Sequence, residues 1–246
     1  MDRDLNSGGA GGLPKRKRSY HTTLLDADYF LVRPLGRFVR RAIRERVRTG
    51  MRVADVGCGE QPWRGMIAAC GAEYVGIDVT QNAMGTVDLV APITRVPLPD
   101  ASFDVILCTE VLEHVSDSRG ALAELRRLCV PSGVVVVTTP FTYPLHEEPF
   151  DFVRLTPQQI RTLSEAVGLE VVLLQRVGNE IEAMAVLWNN LWSRSMPRRL
   201  GILRDLWLGV TRLPANLVTA VLSAAVGNLL ARKSFLAVVA ILRRPL

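Results

Sequence analysis

The stretch VADVGCGEQPW (53–63) places an acid and two glycines at the point where a short apolar run ends. Gly57 and Gly59 can adopt backbone torsions that other residues avoid, and because they lack a Cβ they let a ligand approach the main chain closely. A dinucleotide-binding fingerprint would need a third glycine at position 62, where Pro62 stands, so a pyrophosphate cradle is not expected. Asp78 follows Gly57 by twenty-one residues, the spacing at which a carboxylate reaches ribose hydroxyls in nucleoside-binding α/β domains. The alternative for Asp78 is a turn residue at the end of a strand.

A second group of reactive side chains lies in one loop after the fifth predicted strand. His146 is the first candidate for a general base because imidazole titrates near neutral pH, and Glu147 is the second. Glu148, Asp151 and Arg154 are candidates for substrate contacts, since a guanidinium can clamp a phosphate or carboxylate. The alternative is a salt-bridged loop that only shapes a pocket.

These residues need a scaffold that brings strand ends together, and the hydrophobic pattern predicts one. Apolar runs alternate with amphipathic segments, which indicates an α/β fold with a mostly parallel seven-stranded sheet covered by helices on both faces. Thr156 and Pro157 fit an N-cap and a first helical position. The predicted strands are 51–57, 72–79, 87–92, 103–110, 133–140, 169–177 and 234–244, and the predicted helices are 34–50, 63–71, 121–133 and 156–168.

The chain divides into four predicted segments. Residues 1–33 form a disordered basic tail, because they are rich in glycine, serine and charge and contain KRKR. Residues 34–177 form the core, 178–233 an apolar α-helical insertion, and 234–246 the last core strand. Pro197 and Pro214 are predicted to break the helices of the insertion.

The composition narrows the possible partners and compartments. The net charge of +6 suits an anionic partner, but the sequence shows no aromatic-basic interleaving, so nucleic acid is not expected. The four cysteines form no CxxC pair and indicate reduced thiols in the cytoplasm, with no metal site. The N-terminus has no apolar segment typical of a secretory signal.

The sequence of the apolar insertion is compatible with several environments. Residues 213–231 carry no formal charge and just reach the length of a membrane span, although proline, asparagine and serine interrupt them. An in-plane helix at the inner, anionic face of a membrane or a hydrophobic lid is favoured over a span. Simple packing onto the core and a homodimer interface remain alternatives.

Four stretches, taken together, carry a resemblance to a known family. VADVGCGEQPW, VGIDVT, VPLPDASFDVILCTEVLEHV and LRRLCVPSGVVVVTTPF resemble the successive motifs of Rossmann-like (class I) S-adenosylmethionine-dependent methyltransferases, methyltransferase type 11-like, across about 51–177. PLHEEPFDFVRLTP (144–157) is similar to a segment of a bacterial subset associated with cell-surface glycan or lipid-linked biosynthesis.

The resemblance implies a role for each matching position. Gly57, Cys58 and Gly59 would face the methionine part of S-adenosyl-L-methionine, and Asp55 would help to hold its ammonium group. Asp78 would hold the ribose, with Val79 beside it. Pro92 stands where many relatives place an acid for adenine, which leaves adenine to the backbone near Ile93. Cys108, Thr109 and Glu110 would lie beside the cofactor.

The function implied is methyl transfer to a small, glycan or lipid-linked acceptor, at oxygen. Because the cofactor is intrinsically reactive, such a protein mainly orients the acceptor and excludes water. Two alternatives stay open: a methyltransferase for a soluble natural product, and a non-catalytic cofactor-binding scaffold.

Overall fold

The computed structural model describes residues 20–231 and 233–246. Within them the strands are β1 (Arg52–Val56), β2 (Glu73–Asp78), β3 (Leu89–Val90), β4 (Phe103–Thr109), β5 (Cys129–Pro140), β6 (Glu170–Val177) and β7 (Ala237–Arg243). The α-helices are α1 (Tyr29–Arg46), α2 (Arg64–Ala69), α3 (Ser118–Leu128), α4 (Pro157–Ala166), α5 (Glu180–Ser195) and α6 (Gly201–Val226), and Leu112–His114 and Arg198–Leu200 are short 3-10 helices.

The seven strands form one sheet in the order β3-β2-β1-β4-β5-β7-β6. β3, β2, β1, β4 and β5 pair in parallel, whereas β7 lies antiparallel between β5 and β6. The predicted mostly parallel α/β sheet is therefore confirmed, as is a helical insertion before the last strand, which consists of α5 and α6.

The apolar strands are continuous because both faces of the sheet are covered. In β4, Ile106 and Cys108 belong to one core cluster, whereas Val105 and Leu107 belong to the other. α3 and α4 pack into the first cluster and α1 into the second, since their buried residues are divided in the same way. A strand buried on both faces needs apolar residues at every position rather than at alternate ones.

The first helix begins earlier than the sequence indicated. α1 starts at Tyr29 rather than at Pro34, because the side chains of Tyr29, Phe30 and Leu31 are buried in the core and hold an additional turn. Residues 29–33 are thus helical instead of part of a tail, and residues 1–19 of the predicted tail lie outside the described residues.

One predicted helix break is also wrong. Pro197 lies between α5 and α6 as expected, but Pro214 lies inside α6, which continues to Val226. Packing of α6 against α5 outweighs the hydrogen bond that the proline cannot donate. Thr156 does cap α4, where its hydroxyl accepts a hydrogen bond from the Gln159 N–H at 3.1 Å.

Candidate functional site

A cavity of about 810 Å³ lies beyond the carboxyl ends of β1, β2 and β3. We call it the main cavity. Gly57, Gly59, Asp78, Val79, Ile93 and Glu147 are the sequence-predicted site residues that line it. Its volume falls in the range of sites for cofactor-sized molecules, and the carboxyl edge of a parallel sheet is where such molecules bind.

The loop after β1 presents bare backbone to the main cavity. Gly57 has a φ of 75° and donates its N–H to the Ile77 carbonyl at 2.8 Å. Gly59 has a φ of 49°, and a Cβ built there would meet no atom within 4 Å. Its open side therefore leaves room for a ligand against the main chain, whereas the corresponding side of Gly57 faces Val111.

Replacing Gly57 with alanine is expected to destabilise the fold. A Cβ at Gly57 would lie 2.2 Å from Val111 Cγ2, in a left-handed conformation that alanine disfavours, for a cost of about 1–3 kcal/mol. Gly65→Ala is the matched control, because Gly65 lies in α2 and a Cβ there meets nothing within 4 Å. Chemical denaturation measures both variants, and equal stabilities would contradict the expectation.

Asp78 ends β2 and serves both the loop and the cavity. Its Oδ2 accepts the Gly59 N–H at 2.8 Å, and its Oδ1 lies 3.4 Å from the Thr80 N–H. The carboxylate thus fixes the glycine loop and lines the main cavity, so the turn role and the binding role are compatible.

Asp55 lies deeper, beside a smaller cavity of about 30 Å³ that Cys58 and Thr109 also line. It is 1% exposed, and the Tyr74 hydroxyl donates a hydrogen bond to its Oδ2 at 2.8 Å. Burial is the largest influence and raises the pKa of Asp55 to about 7, against the opposing hydrogen bond from Tyr74 and with a smaller contribution from Asp78. A cation placed near Asp55 would therefore stabilise its ionised carboxylate, which burial disfavours.

The raised pKa of Asp55 predicts a pH-dependent stability. The folded chain holds this proton up to about pH 7, whereas the unfolded carboxyl releases it near its ordinary value of 3.8. The folded state therefore binds more protons between these values, and stability should fall as the pH rises through this window. Asp55→Asn keeps an acceptor for Tyr74 and should be the more stable protein above the window, by on the order of 4 kcal/mol.

Chemical denaturation below and above the window tests this expectation. The exposed Asp100 supplies the control Asp100→Asn, which makes the same chemical change at a carboxyl outside both cavities. An Asp55→Asn protein with the same slope as the wild type would contradict the assignment.

The rim of the main cavity combines apolar walls with polar groups that the sequence analysis did not identify. Val79, Pro92 and Ile93 lie on the wall. Gln81, Asn82, Ser116 and Asp117 also line it. The sequence gives one indication of these residues, namely their position in the chain. Gln81 and Asn82 follow β2, and Ser116 and Asp117 precede α3, where loops reach the carboxyl edge of the sheet.

The residues at the end of β4 differ in their access to the site. Thr109 borders the smaller cavity, whereas Cys108 and Glu110 line neither cavity. Cys108 is fully buried, and burial raises the pKa of its thiol far above the ordinary value. Glu110 accepts a hydrogen bond from the Thr138 hydroxyl at 3.0 Å, which gives it a structural partner inside the fold.

Two histidines meet at the edge of the main cavity. The rings of His114 and His146 are 4.8 Å apart, centroid to centroid, in an edge-to-face arrangement. His114 lines the cavity together with Glu147, whereas His146 does not. His114 Nδ1 lies 2.8 Å from the Phe150 carbonyl, which can only accept, so Nδ1 carries the hydrogen.

The other nitrogen of His114 faces two carboxylates. Nε2 lies 3.7 Å from Glu147 Oε2 and 3.6 Å from Oε1 of the buried Glu113. One potential ligand atom each from Glu113, His114 and His146 lie within 4.8 Å of one another, a spacing that could also hold a metal ion. The absence of a metal, expected from the sequence, stays a prediction.

The remaining loop residues form an ion-pair cluster. Asp151 Oδ2 accepts from Arg154 at 2.7 Å and from the His146 backbone N–H at 2.9 Å, and it lies 3.1 Å from His146 Nδ1. Burial acts to raise the pKa of Asp151, but these hydrogen bonds outweigh it and lower the pKa to about 2. Glu148, Asp151 and Arg154 do not line the main cavity, so the cluster supports the loop that carries Glu147.

Comparison with known proteins bears on the part of the chain that builds this site. A family model described as a methyltransferase domain matches residues 54–137, from β1 into β5. The chain is 36% identical over 104 residues to a ubiquinone biosynthesis O-methyltransferase of Paraburkholderia phymatum, covering 37% of this chain and 45% of the relative. It is 31% identical over 138 residues to a Mycolicibacterium smegmatis protein named "Probable S-adenosylmethionine-dependent methyltransferase", covering 50% and 53%. The chain thus spans about half the length of these curated relatives.

Solved structures agree on the fold. A 1,6-didemethyltoxoflavin-N1-methyltransferase of Burkholderia thailandensis aligns with a TM-score of 0.52 at 14% identity, over 87% of this chain and 77% of that one. A phosphoethanolamine N-methyltransferase 2 of Haemonchus contortus aligns with a TM-score of 0.54 at 15% identity, over 85% and 53%. The family match spans the glycine loop, Asp78 and the end of β4, so residues 54–137 are similar to a methyltransferase domain, and the solved structures share its fold.

Proposed function

We propose that this protein transfers a methyl group from S-adenosylmethionine to an oxygen atom of a lipid-linked or glycan acceptor. The observation that carries the proposal is the main cavity, where the open side of Gly59 and the carboxylate of Asp78 lie together within the matched domain. The residues fit the donor: bare backbone for the methionine part, an acid for the ribose hydroxyls and an apolar wall for the adenine. Asp55, beside the smaller cavity, would neutralise the donor's ammonium group.

S-adenosylmethionine supplies an electrophilic methyl group on a sulfonium centre, so the protein's task is to orient the acceptor and remove its proton. We assign proton removal to His114, with Glu147 beside it. The Phe150 carbonyl fixes the hydrogen on Nδ1, which leaves Nε2 as the basic nitrogen. Glu147 and Glu113 lie within 4 Å of Nε2 and would stabilise the imidazolium that forms.

In this assignment His146, the first choice from sequence, is a positioning residue. It packs edge-to-face against His114 and Tyr143 and is itself held by Asp151. That His146 is itself the base stays a prediction, and the variants His114→Ala and His146→Ala distinguish the two assignments.

The surroundings of the main cavity support an acceptor with an apolar part. Phe150 and Phe152 line the cavity and are 43% and 52% exposed, and Leu145 in the same loop is 56% exposed. Exposed aromatic side chains at a cavity mouth favour a ligand with a hydrocarbon portion. The curated relatives named as O-methyltransferases support transfer to oxygen. The four cysteines occur as free thiols, in keeping with a cytoplasmic location.

Two assays test the proposal in sequence. Calorimetry with S-adenosylmethionine should show saturable binding, and its absence at millimolar concentration would refute the donor assignment. A tritiated methyl-transfer assay against extracted lipids and cell-envelope fractions should then label a lipid-linked or glycan product. Label that appears only in small water-soluble acceptors would contradict this acceptor class while keeping the methyltransferase.

A further inference from the structure

The paired helices α5 and α6 leave one long apolar face exposed. Residues three or four positions apart on each helix share this face, which we call the hairpin face. Ile202 and Val210 are 74% and 72% exposed. The face includes Met184, Trp188 and Leu191 on α5 and Ile202, Leu206 and Val210 on α6. Apolar side chains repeated in this way on an exposed helix are typical of a surface that contacts another molecule or a membrane.

By its length and composition, α6 is long and apolar enough to cross a membrane. The buried side of the helix, however, carries polar groups that are hydrogen-bonded within the fold. The fully buried Asn216 accepts from Asn189 at 2.8 Å and donates to the Leu24 carbonyl at 2.8 Å. Two turns further along the helix, Ser223 accepts from Asn179 and donates to Glu182, each at 2.8 Å. A spanning orientation would break these bonds and place the groups in hydrocarbon, so the geometry favours a helix that lies in the membrane plane.

The charge around the hairpin face identifies the sign of its partner. Residues 194–212, which join the two helices and begin α6, contain five arginines and one aspartate, a net formal charge of +4. Two copies of such a surface would repel each other, whereas an anionic lipid surface would attract it. Charge complementarity therefore selects a membrane over a second copy of the chain.

The basic and aromatic groups concentrate where the hairpin turns. Arg204 donates to the Ser193 carbonyl at 2.8 Å, and Arg212 donates to the Ser193 hydroxyl. The Trp192 ring lies 5.6 Å from that of Trp188 and 5.4 Å from that of Trp207. Tryptophan and arginine together are typical of the boundary between lipid headgroups and hydrocarbon.

This turn touches the loop after β5, which carries Glu147 beside the proposed base His114. Arg194 at the end of α5 donates to the Leu145 carbonyl at 2.7 Å, one residue before His146. Leu145, Phe150 and Phe152 expose apolar surface on the same loop, and the last two line the main cavity. A membrane that contacts the turn of the hairpin would therefore lie beside the mouth of that cavity.

We propose that the hairpin face docks in the plane of an anionic bilayer and brings the main cavity to the lipid surface. The inference deepens the proposed function, since it names the partner from which a lipid-linked acceptor would be taken. Docking itself does not depend on methyl transfer, so the two proposals can fail separately.

Vesicle flotation with the full chain tests the docking. The protein should float with phosphatidylcholine vesicles that contain phosphatidylglycerol, and much less with pure phosphatidylcholine or at high salt. Val210→Glu on the hairpin face should weaken partitioning by roughly tenfold or more. Val172→Glu is the matched control, because Val172 is an exposed valine on β6, outside the hairpin.

Tryptophan fluorescence gives an independent readout on the same samples. Three of the four tryptophans lie in the hairpin, so anionic vesicles should shift the emission to the blue. An alkaline carbonate wash should release the bound protein, and retention would overturn the in-plane orientation.

Three results would overturn the docking itself: wild type that remains at the bottom with anionic vesicles, Val210→Glu that floats as well as the wild type, or a lipid-free dimer that Val210→Glu dissociates. Circular dichroism of both variants establishes that they are folded. Loss of flotation with intact binding of S-adenosylmethionine would refute the docking alone, and flotation without any cofactor binding would refute the proposed function alone.

Discussion

Asp78→Ala is expected to weaken the binding of S-adenosylmethionine by about 100-fold or more. The substitution removes the carboxylate proposed for the ribose hydroxyls and also the acceptor for the Gly59 N–H. Hydrogen bonds to a charged group contribute about 1.5–3 kcal/mol each, and two of them correspond to this loss. Isothermal titration calorimetry of the purified protein measures it directly.

Two further variants separate the contributions of Asp78. Asp78→Asn keeps an oxygen for Gly59, so it should bind more tightly than Asp78→Ala and more weakly than the wild type. Asp100→Ala removes an exposed carboxylate that pairs with Arg127 outside the main cavity, and it should bind like the wild type. Wild-type affinity in Asp78→Ala would remove this residue from the donor site.

His114→Ala should reduce turnover by about 10²–10⁴-fold, the usual contribution of a general base, while donor affinity changes little. The reason is geometric: Nε2 of His114 faces Glu147 at the cavity, with its tautomer fixed by the Phe150 carbonyl. Steady-state kinetics with the acceptor found in the labelling assay measures the effect, and added imidazole should restore part of the turnover.

His146→Ala is the matched comparison, because this ring adjoins His114 but does not line the main cavity. We expect a smaller loss of turnover and no rescue by imidazole. The opposite ranking of the two variants would return the role of base to His146. Turnover abolished by a chelator and restored by a divalent ion would instead make Glu113, His114 and His146 metal ligands.

Local patterns in the sequence predicted the parts of the fold and site that depend on few residues. The strand–glycine turn at Gly57 and the acid ending β2 are encoded by neighbours, so their places at one cavity could be expected. The capping of α4 by Thr156 is similarly local. The early start of α1 was missed because burial of Tyr29 depends on distant packing.

The edge of the main cavity that holds His114 and Glu147 was harder to predict because it joins separate segments. His114 follows β4, whereas Glu147 and Phe150 come from the loop after β5, and no short pattern signals that they meet. The sequence favoured His146 because of its residue type and its acidic neighbours. The structure places that histidine against the Asp151–Arg154 pair, where packing rather than spacing decides its surroundings.

The place of β7 has a consequence for how the chain is made. β5 and β6 do not pair with each other, since β7 lies between them and bonds to both. On the ribosome, the glycine loop after β1 and the helices α5 and α6 therefore emerge before the strand that closes the sheet. The nascent chain must keep its apolar segments from aggregating until residues 237–243 are inserted, so folding of this domain completes only after those residues have left the exit tunnel.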